Sequence, residues 1–237
     1  MLRSPPALPA VALAAICCAF SACGDKTTPT GVTTDASNSE VQREGTTIWD
    51  FAALAGSPDG PQGNPKVFTI VGQGAVVASV SATESNPGFQ VWSKGFSVPP
   101  LSDERGLGLC GNYGTGGNCG NASPGGEDEI GDFFPDSAGN LTVVPSLLLD
   151  FTGLATGSVV DSVTLGSLQL KEGYLISSST DGSTFTVVLS GANSSGSGAV
   201  YAFAIPAGAK YLRFAQGAGG AGNNYVVESV RVTWPKP

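Results

Sequence analysis

The chain consists of short apolar runs separated by clusters of Gly, Pro, Asn and Asp. After residue 23 we find no 3.6-residue repeat of apolar positions long enough for an amphipathic helix, whereas runs of β-branched and aromatic residues indicate strands. The pattern predicts strands at Thr46–Ala52, Lys66–Val71, Ala75–Thr83, Phe89–Trp92, Leu107–Cys110, Ser146–Phe151, Val159–Leu168, Gly173–Ser178, Ser183–Leu189, Ala199–Ile205, Tyr211–Phe214 and Tyr225–Trp234.

Two of these predictions carry the most detail. Asp181-Gly182 lies between strand residues on both sides, and this dipeptide favours the positive φ angles of a tight β-hairpin turn. In the last strand, charged residues alternate with valines between Val226 and Val232, which is typical of a strand with one solvated face.

About a dozen strands without crossover helices predict an all-β fold: two antiparallel sheets packed face to face in a jelly-roll-like β-sandwich. We assign this sandwich to residues 46–237, a length that suffices for one sizeable core. Trp49, Trp92 and Trp234 lie on predicted strands, and we expect all three to pack in the core.

The N-terminus has the pattern of a signal peptide. Arg3 precedes an apolar stretch from Ala7 to Phe20, which is too short for a bilayer core that needs about 20 apolar residues. Phe20-Ser21-Ala22-Cys23 resembles the lipobox of bacterial lipoproteins, with Phe20 where that family more often has Leu. The resemblance implies removal of residues 1–22 and a diacylglycerol on the sulfur of Cys23. An ordinary secretory signal cut near Ala22 is the alternative.

Residues 23–45 predict a flexible tether. They are rich in Thr, Ser, Asp and Gly and hold hardly any bulky apolar side chain, so burial cannot offset their ordering entropy. Acyl chains on Cys23 would anchor the tether to a membrane, because each buried methylene contributes about 0.8 kcal/mol. By the lipoprotein resemblance, Gly24 after the cysteine favours the outer membrane or cell surface over the inner membrane.

Net charge and residue content argue against several classes of function. The chain has 11 basic residues, 19 acidic residues, no histidine and a formal net charge of −8. Its scattered Lys and Arg argue against nucleic acid as a partner, and serine hydrolases usually need a histidine base. Glycoside hydrolysis needs two carboxyl groups about 5–10 Å apart, and the candidates are Glu84, Glu104, Glu127 and Glu129. Sequence spacing does not establish that separation, so we predict a protein that is not an enzyme.

Two cysteines remain after the leader and Cys23, namely Cys110 and Cys119. In an exported protein an isolated pair predicts a disulfide. A metal site is the alternative, but two cysteines without histidine fall short of the four ligands of structural zinc.

Acidic residues concentrate at Glu127, Asp128, Glu129 and Asp132. Their carboxylates are suited to a structural calcium ion. The spacing is not that of a calcium-binding loop, so we predict no cofactor and favour a solvated loop with Ile130 as its buried residue, with calcium as the alternative. Tyr113, between the two cysteines, and Tyr225, after a Gly-Asn-Asn run, predict an aromatic platform for ligand binding on loops.

Short motifs resemble known surface proteins. The stretch from Ser179 to Phe185, between two strands, resembles the hairpin of galactose-binding-like jelly rolls, including discoidin-type domains. Arg105–Cys110, Glu127–Ile130 and Leu147–Phe151 resemble extracellular bacterial proteins sorted by the PEP-CTERM signal, although this chain ends at Pro237 without that group's sorting helix.

The resemblance implies a non-catalytic recognition or structural module on the cell surface. A surface glycan or another envelope protein is the expected partner. A carbohydrate-binding module and a secreted glycoside hydrolase are the alternatives.

Overall fold

Strands make up nearly all of the regular structure. The computed structural model describes residues 45–55, 59–81, 89–94, 105–110, 129–131, 134–135, 141–194, 199–217 and 225–235. The strands are β1 (Thr46–Asp50), β2 (Asp59–Gly63), β3 (Lys66–Ile70), β4 (Gly74–Ser81), β5 (Gln90–Lys94), β6 (Gly106–Cys110), β7 (Phe134–Pro135), β8 (Leu141–Val143), β9 (Ser146–Asp150), β10 (Val159–Leu168), β11 (Gly173–Ser179), β12 (Thr186–Ala192), β13 (Ala199–Ala204), β14 (Tyr211–Gln216) and β15 (Val226–Thr233), with one helical turn, α1 (Phe51–Leu54). Within these residues, no helix is long and apolar enough to cross a bilayer.

The strands form two antiparallel sheets that pack face to face. Sheet 1 has the order β13-β10-β15-β6-β5-β2, with β1 also paired to β15, and sheet 2 has the order β12-β11-β14-β9-β4-β3. β7 and β8 form a separate pair. From β9 to β15 the chain changes sheet at every step except the β11–β12 hairpin. The predicted all-β, two-sheet antiparallel sandwich is therefore confirmed.

The core lies between the two sheets. Fully buried side chains from both sheets meet there, among them Leu147, Leu149, Val163, Leu165, Phe214 and Val230. Burying each such side chain contributes about 1.5–3 kcal/mol. Trp49 and Trp234 belong to this core, as predicted. Trp92 is also buried, at 6% exposure, but lies outside the continuous core cluster.

All twelve predicted strands are present, with ends that differ by up to three residues. The first is shorter than predicted because the Asp50 carboxylate accepts a hydrogen bond from Ala53 N at 3.0 Å and caps α1. β2, β7 and β8 were not predicted. β2 has the sequence Asp-Gly-Pro-Gln-Gly, which disfavours strands, and it forms by pairing with β5.

The β11–β12 hairpin is confirmed, but the prediction of a two-residue turn is wrong. The last paired residues are Ser178 and Thr186, so the connection is longer than Asp181-Gly182. Of that dipeptide only Gly182 has a positive φ, +76°. The side chain of Asp181 organises the connection instead, as described below.

The alternation predicted for β15 holds only in part. Thr164 of β10 pairs with Ser229 and Leu165 pairs with Val227, which makes Glu228 the extra residue of a β-bulge. The bulge shifts the alternation of inward and outward side chains by one residue, so that Val227 and Val230 are both fully buried. Regular alternation then continues to Val232.

The two ends of the sandwich can be told apart by the strands that meet there. At one end Trp234 N donates to Gly45 O at 2.9 Å, and Thr46 pairs with Thr233. We call this the terminal end. β15 starts at the opposite, or far, end, and its antiparallel partner β6 therefore finishes there at Cys110.

We predict that position 106 accepts only glycine. Gly106 has a φ of +143°, and a Cβ there would lie 2.4 Å from Val227 O. Gly106→Ala should lower the free energy of unfolding by about 2–5 kcal/mol, since backbone strain adds to a clash. Urea denaturation measures the loss.

Gly208→Ala is the matched control for this prediction. Gly208 also has a positive φ, +89°, but a Cβ there has nothing within 4 Å. Only the conformational cost of about 1–2 kcal/mol should remain. Equal losses at the two positions would contradict the steric argument.

Candidate functional site

Glu129 is a buried partner of a lysine. Its side chain is 1% exposed, and its Oε1 accepts a hydrogen bond from Lys94 Nζ at 2.6 Å. Ser167 Oγ donates to the same oxygen at 2.7 Å. An ammonium group therefore pairs with the Glu129 carboxylate, whereas Glu127, Asp128 and Asp132, the other residues of the calcium interpretation, lie outside the described residues.

Ser167 is held in an uncommon backbone conformation at this cluster. Its φ is +62°, and it lies where the register of β10 against β13 shifts between Leu165 and Leu168. A left-handed serine costs roughly 1–2 kcal/mol. The hydrogen bond to the charged carboxylate of Glu129 contributes about 1.5–3 kcal/mol and offsets that cost.

Tyr225 is part of the interior, so the prediction that its ring forms an exposed platform is wrong. The residue is fully buried, and its hydroxyl donates to Ala215 O at 2.9 Å. Burial is the main reason why the pKa of the Tyr225 hydroxyl is raised far above its usual range. Tyr225 also exchanges two backbone hydrogen bonds with Ile130, at 2.8 and 3.1 Å, which fix the segment that carries Glu129.

The other predicted site residues divide into one that the structure describes and several outside it. Cys110 is fully buried at the last position of β6. Predicted positions outside the described residues are Cys23, Glu84, Glu104, Tyr113, Cys119, Glu127, Asp128 and Asp132. Among the residues that the structure describes, no group of three or more His, Cys, Asp or Glu could hold a metal ion.

A pocket of about 280 Å³ opens at the terminal end. Phe151, Leu154 and Val160 form apolar parts of its wall, and Lys210 is the charged residue in its lining. Glycoside hydrolysis needs two facing carboxylates, and the described lining of this pocket contains none.

The connection between β11 and β12 is built around Asp181. Its Oδ1 accepts hydrogen bonds from Ser183 N and Thr184 N, both at 2.8 Å, and from Ser179 Oγ at 2.9 Å. The pKa of the Asp181 carboxyl lies well below its usual range. The main cause is the hydrogen bond from the backbone N–H of Thr184, followed by that from the backbone N–H of Ser183, because both stabilise the ionised form. The network gives the connection a defined shape up to Phe185.

Phe185 lies under the guanidinium of Arg213. The Cζ atom of Arg213 is 3.7 Å from the ring centroid, a close cation–π contact. Leu212 and Phe214 on either side are fully buried, so Arg213 points to the outer face of sheet 2. Sequence analysis missed this residue, although the alternation in Tyr211-Leu-Arg-Phe already places Arg213 and Tyr211 on one face.

Comparison with known proteins adds no family to this description. No protein-family model matches the chain, and no curated protein matches it at a significant level.

The Lys94–Glu129 pair leads to a stability prediction. Glu129→Gln should lower the free energy of unfolding by about 3–5 kcal/mol, because it leaves a buried ammonium without its carboxylate. The double variant Lys94→Met, Glu129→Leu should lose less than the single variant, since no uncompensated charge remains. Urea denaturation of the three chains measures both effects.

An exposed ion pair serves as the control. Arg105 Nη2 and Asp50 Oδ2 are 3.4 Å apart, with side chains 43% and 40% exposed. Arg105→Gln should therefore cost no more than about 1 kcal/mol. A Glu129→Gln loss as small as that of Arg105→Gln would contradict a buried, strongly coupled pair.

Asp181 leads to a pH prediction. Its pKa is lower in the folded chain than the unfolded value of about 3.9. The ionised carboxylate therefore contributes stability that is fully present above about pH 4 and is lost as the pH falls through the folded pKa. The difference in unfolding free energy between wild type and Asp181→Asn should shrink from pH 7 to pH 3. Thr180→Ala, an exposed neighbouring change, should show no such trend, and a constant difference for Asp181→Asn would refute the assignment.

Proposed function

We propose that the protein is exported, lipid-anchored through Cys23 at the outer membrane or cell surface, and acts as a non-catalytic recognition or structural module. The arrangement of the two ends carries the proposal. The chain enters the sandwich at Gly45 and leaves it after Trp234 at the terminal end. A tether that begins at Cys23 therefore joins the terminal end, and the far end is the one farthest from the anchor.

β15, with eight residues, spans about 26 Å from the far end to the terminal end, so the two ends can be distinguished by their separation from a membrane.

In this proposal the predicted disulfide lies at the far end. Cys110 finishes β6 there, is fully buried and is not a free thiol in the structure. Cys119 is the only other cysteine after Cys23 in the sequence, so we propose Cys119 as its partner. Tyr113 lies between the two cysteines and remains the predicted aromatic contact for a ligand.

The non-catalytic part of the proposal is supported by the role of Glu129. Its carboxylate neutralises Lys94 in the interior and does not reach the surface. The other glutamates that the sequence offered for glycoside hydrolysis, Glu84, Glu104 and Glu127, lie outside the described residues. Calcium binding at Glu127, Asp128 and Asp132 remains an alternative.

Carbohydrate binding is the second candidate function, and one observation favours it. Arg213 presents its guanidinium, stacked on Phe185, at the outer face of sheet 2. An aromatic ring and a planar cation side by side are suited to a charged sugar.

Fluorescence quenching by labelled lipid vesicles tests the anchored arrangement. Ala207 and Gln169 are exposed residues that follow β13 at the terminal end and β10 at the far end, and each can carry a cysteine-linked dye. The dye at Ala207→Cys should be quenched more strongly than the dye at Gln169→Cys. Cys23→Ser should abolish quenching at both positions. Quenching that survives Cys23→Ser, or is stronger at Gln169, would rule the arrangement out.

A further inference from the structure

We propose that the outer face of sheet 2 binds a uronic acid sugar, whose carboxylate pairs with Arg213. The inference rests on the proposed recognition function and names a ligand class for it. We call the surface the Arg213 face, formed by Arg213, Phe185, Tyr211, Leu148 and Val187.

Strand register brings these residues onto one face. Arg213 lies directly opposite Leu148 of β9 on one side and Ser177 of β11 on the other. Ser177 in turn lies opposite Val187 of β12. Side chains of directly opposed residues lie on the same side of a sheet, and Tyr211 joins them because it is two residues from Arg213.

Among the described residues, the guanidinium of Arg213 has no anionic partner: it stacks on the ring of Phe185, and its Nε is buried without a hydrogen-bond acceptor. Lys94 and Arg105, in contrast, are paired with Glu129 and Asp50. A buried donor without an acceptor costs about 1–3 kcal/mol, which an incoming anion can reduce by drawing the guanidinium outward.

The acidic side chains closest to this face in the strand register are engaged elsewhere. Asp150 lies opposite Tyr211, but its Oδ1 accepts hydrogen bonds from Thr152 N at 2.8 Å and Thr152 Oγ1 at 2.7 Å. The Oδ1 atom of Asp181 accepts three hydrogen bonds from the donors of its own turn. Among the described residues no carboxylate pairs with Arg213, which leaves its guanidinium available to the carboxylate of a ligand.

The stacking partner of Arg213 is positioned before any ligand arrives. Asp181 fixes the connection that leads to Phe185, and Gly182 lies so close to the Tyr211 ring that a Cβ there would be 2.9 Å from Cζ. The connection and the sheet are thus in direct contact beside Arg213. Fixing these groups in advance reduces the entropy that binding costs.

The chemistry of the face selects an acidic sugar. A guanidinium matches a carboxylate with two parallel hydrogen bonds. Beside it, the partly exposed ring of Tyr211 and the 53% exposed Val187 offer an apolar surface for the C–H face of a pyranose. Five residues suit one or two sugar units, whereas a stable protein interface needs about 20–30 residues a side.

Calorimetric titration of the intact, detergent-solubilised chain tests the proposal with galacturonate and glucuronate oligosaccharides as probes. Neutral galactose and glucose oligosaccharides of equal length should bind at least tenfold more weakly, a difference of about 1.4 kcal/mol. Uronate binding should also weaken as salt is raised, because the cation is partly exposed.

Variants of two arginines complete the test. Arg213→Lys keeps the charge but loses the planar fork, and it should weaken uronate binding about tenfold, with Arg213→Gln weaker still. Arg231→Lys is the matched control: Arg231 is exposed on sheet 1, opposite Ile48, and binding should not change. Thermal unfolding confirms that each variant is folded.

Four results would overturn the proposal. They are no binding of either uronate, equal binding of neutral sugars, uronate binding that Arg213→Lys leaves intact, and binding of acidic peptides or of acetate alone with the same strength. None of these results bears on the quenching experiment, which does not involve Arg213, so failure of the ligand assignment and failure of the anchored module can be distinguished.

Discussion

Sheet 1 depends on β15, which pairs with β10 along one side and with both β1 and β6 along the other. β1 is the first described strand and β15 the last, so the sheet closes only when residues as distant as Thr46 and Thr233 meet. Strands this distant in sequence pair only after the chain has lost the entropy of closing a long loop. We therefore expect this sheet to form slowly. The same pairing brings Gly45 and Trp234, near the two ends of the described sandwich, together at the terminal end.

Lys94 and Arg213 differ in how their positive charge is balanced in the sandwich. Lys94 is nearly buried, and its partner Glu129 is supplied by a separate segment that Ile130 and Tyr225 fasten to the start of β15. Because both charges lose their hydration, such a pair stabilises the fold no more than apolar side chains would. Removing one partner destabilises the fold strongly, because a buried charge then lacks its counter-ion. Arg213 is only half buried, and an aromatic ring takes the place of a counter-ion. The first arrangement is complete within the chain, whereas the second leaves the capacity to bind an anion.

Sequence patterns sufficed for the strands and not for the sites, and the reason is physical. Strands such as Val159–Leu168 are encoded locally by β-branched residues, so their bounds matched the structure. β2 has no such signal, because pairing with β5 makes it a strand. Glu129 and Tyr225 were expected at the surface because their side chains are polar, but long-range partners satisfy those polar groups in the interior. Arg213 was not predicted as a site residue because its cation–π contact depends on Phe185, which the β11–β12 connection brings beneath the guanidinium.

The location of Arg213 matters for how an anchored protein would use it. Arg213 is the third of six residues of β14, so it lies on the flank of the sandwich, away from both ends. A ligand of Arg213 would therefore approach the flank of sheet 2 and not the loops at either end of the sandwich. With a net charge of −8, the chain repels polyanions at long range, so uronate binding depends on the local pairing of a carboxylate with the guanidinium of Arg213.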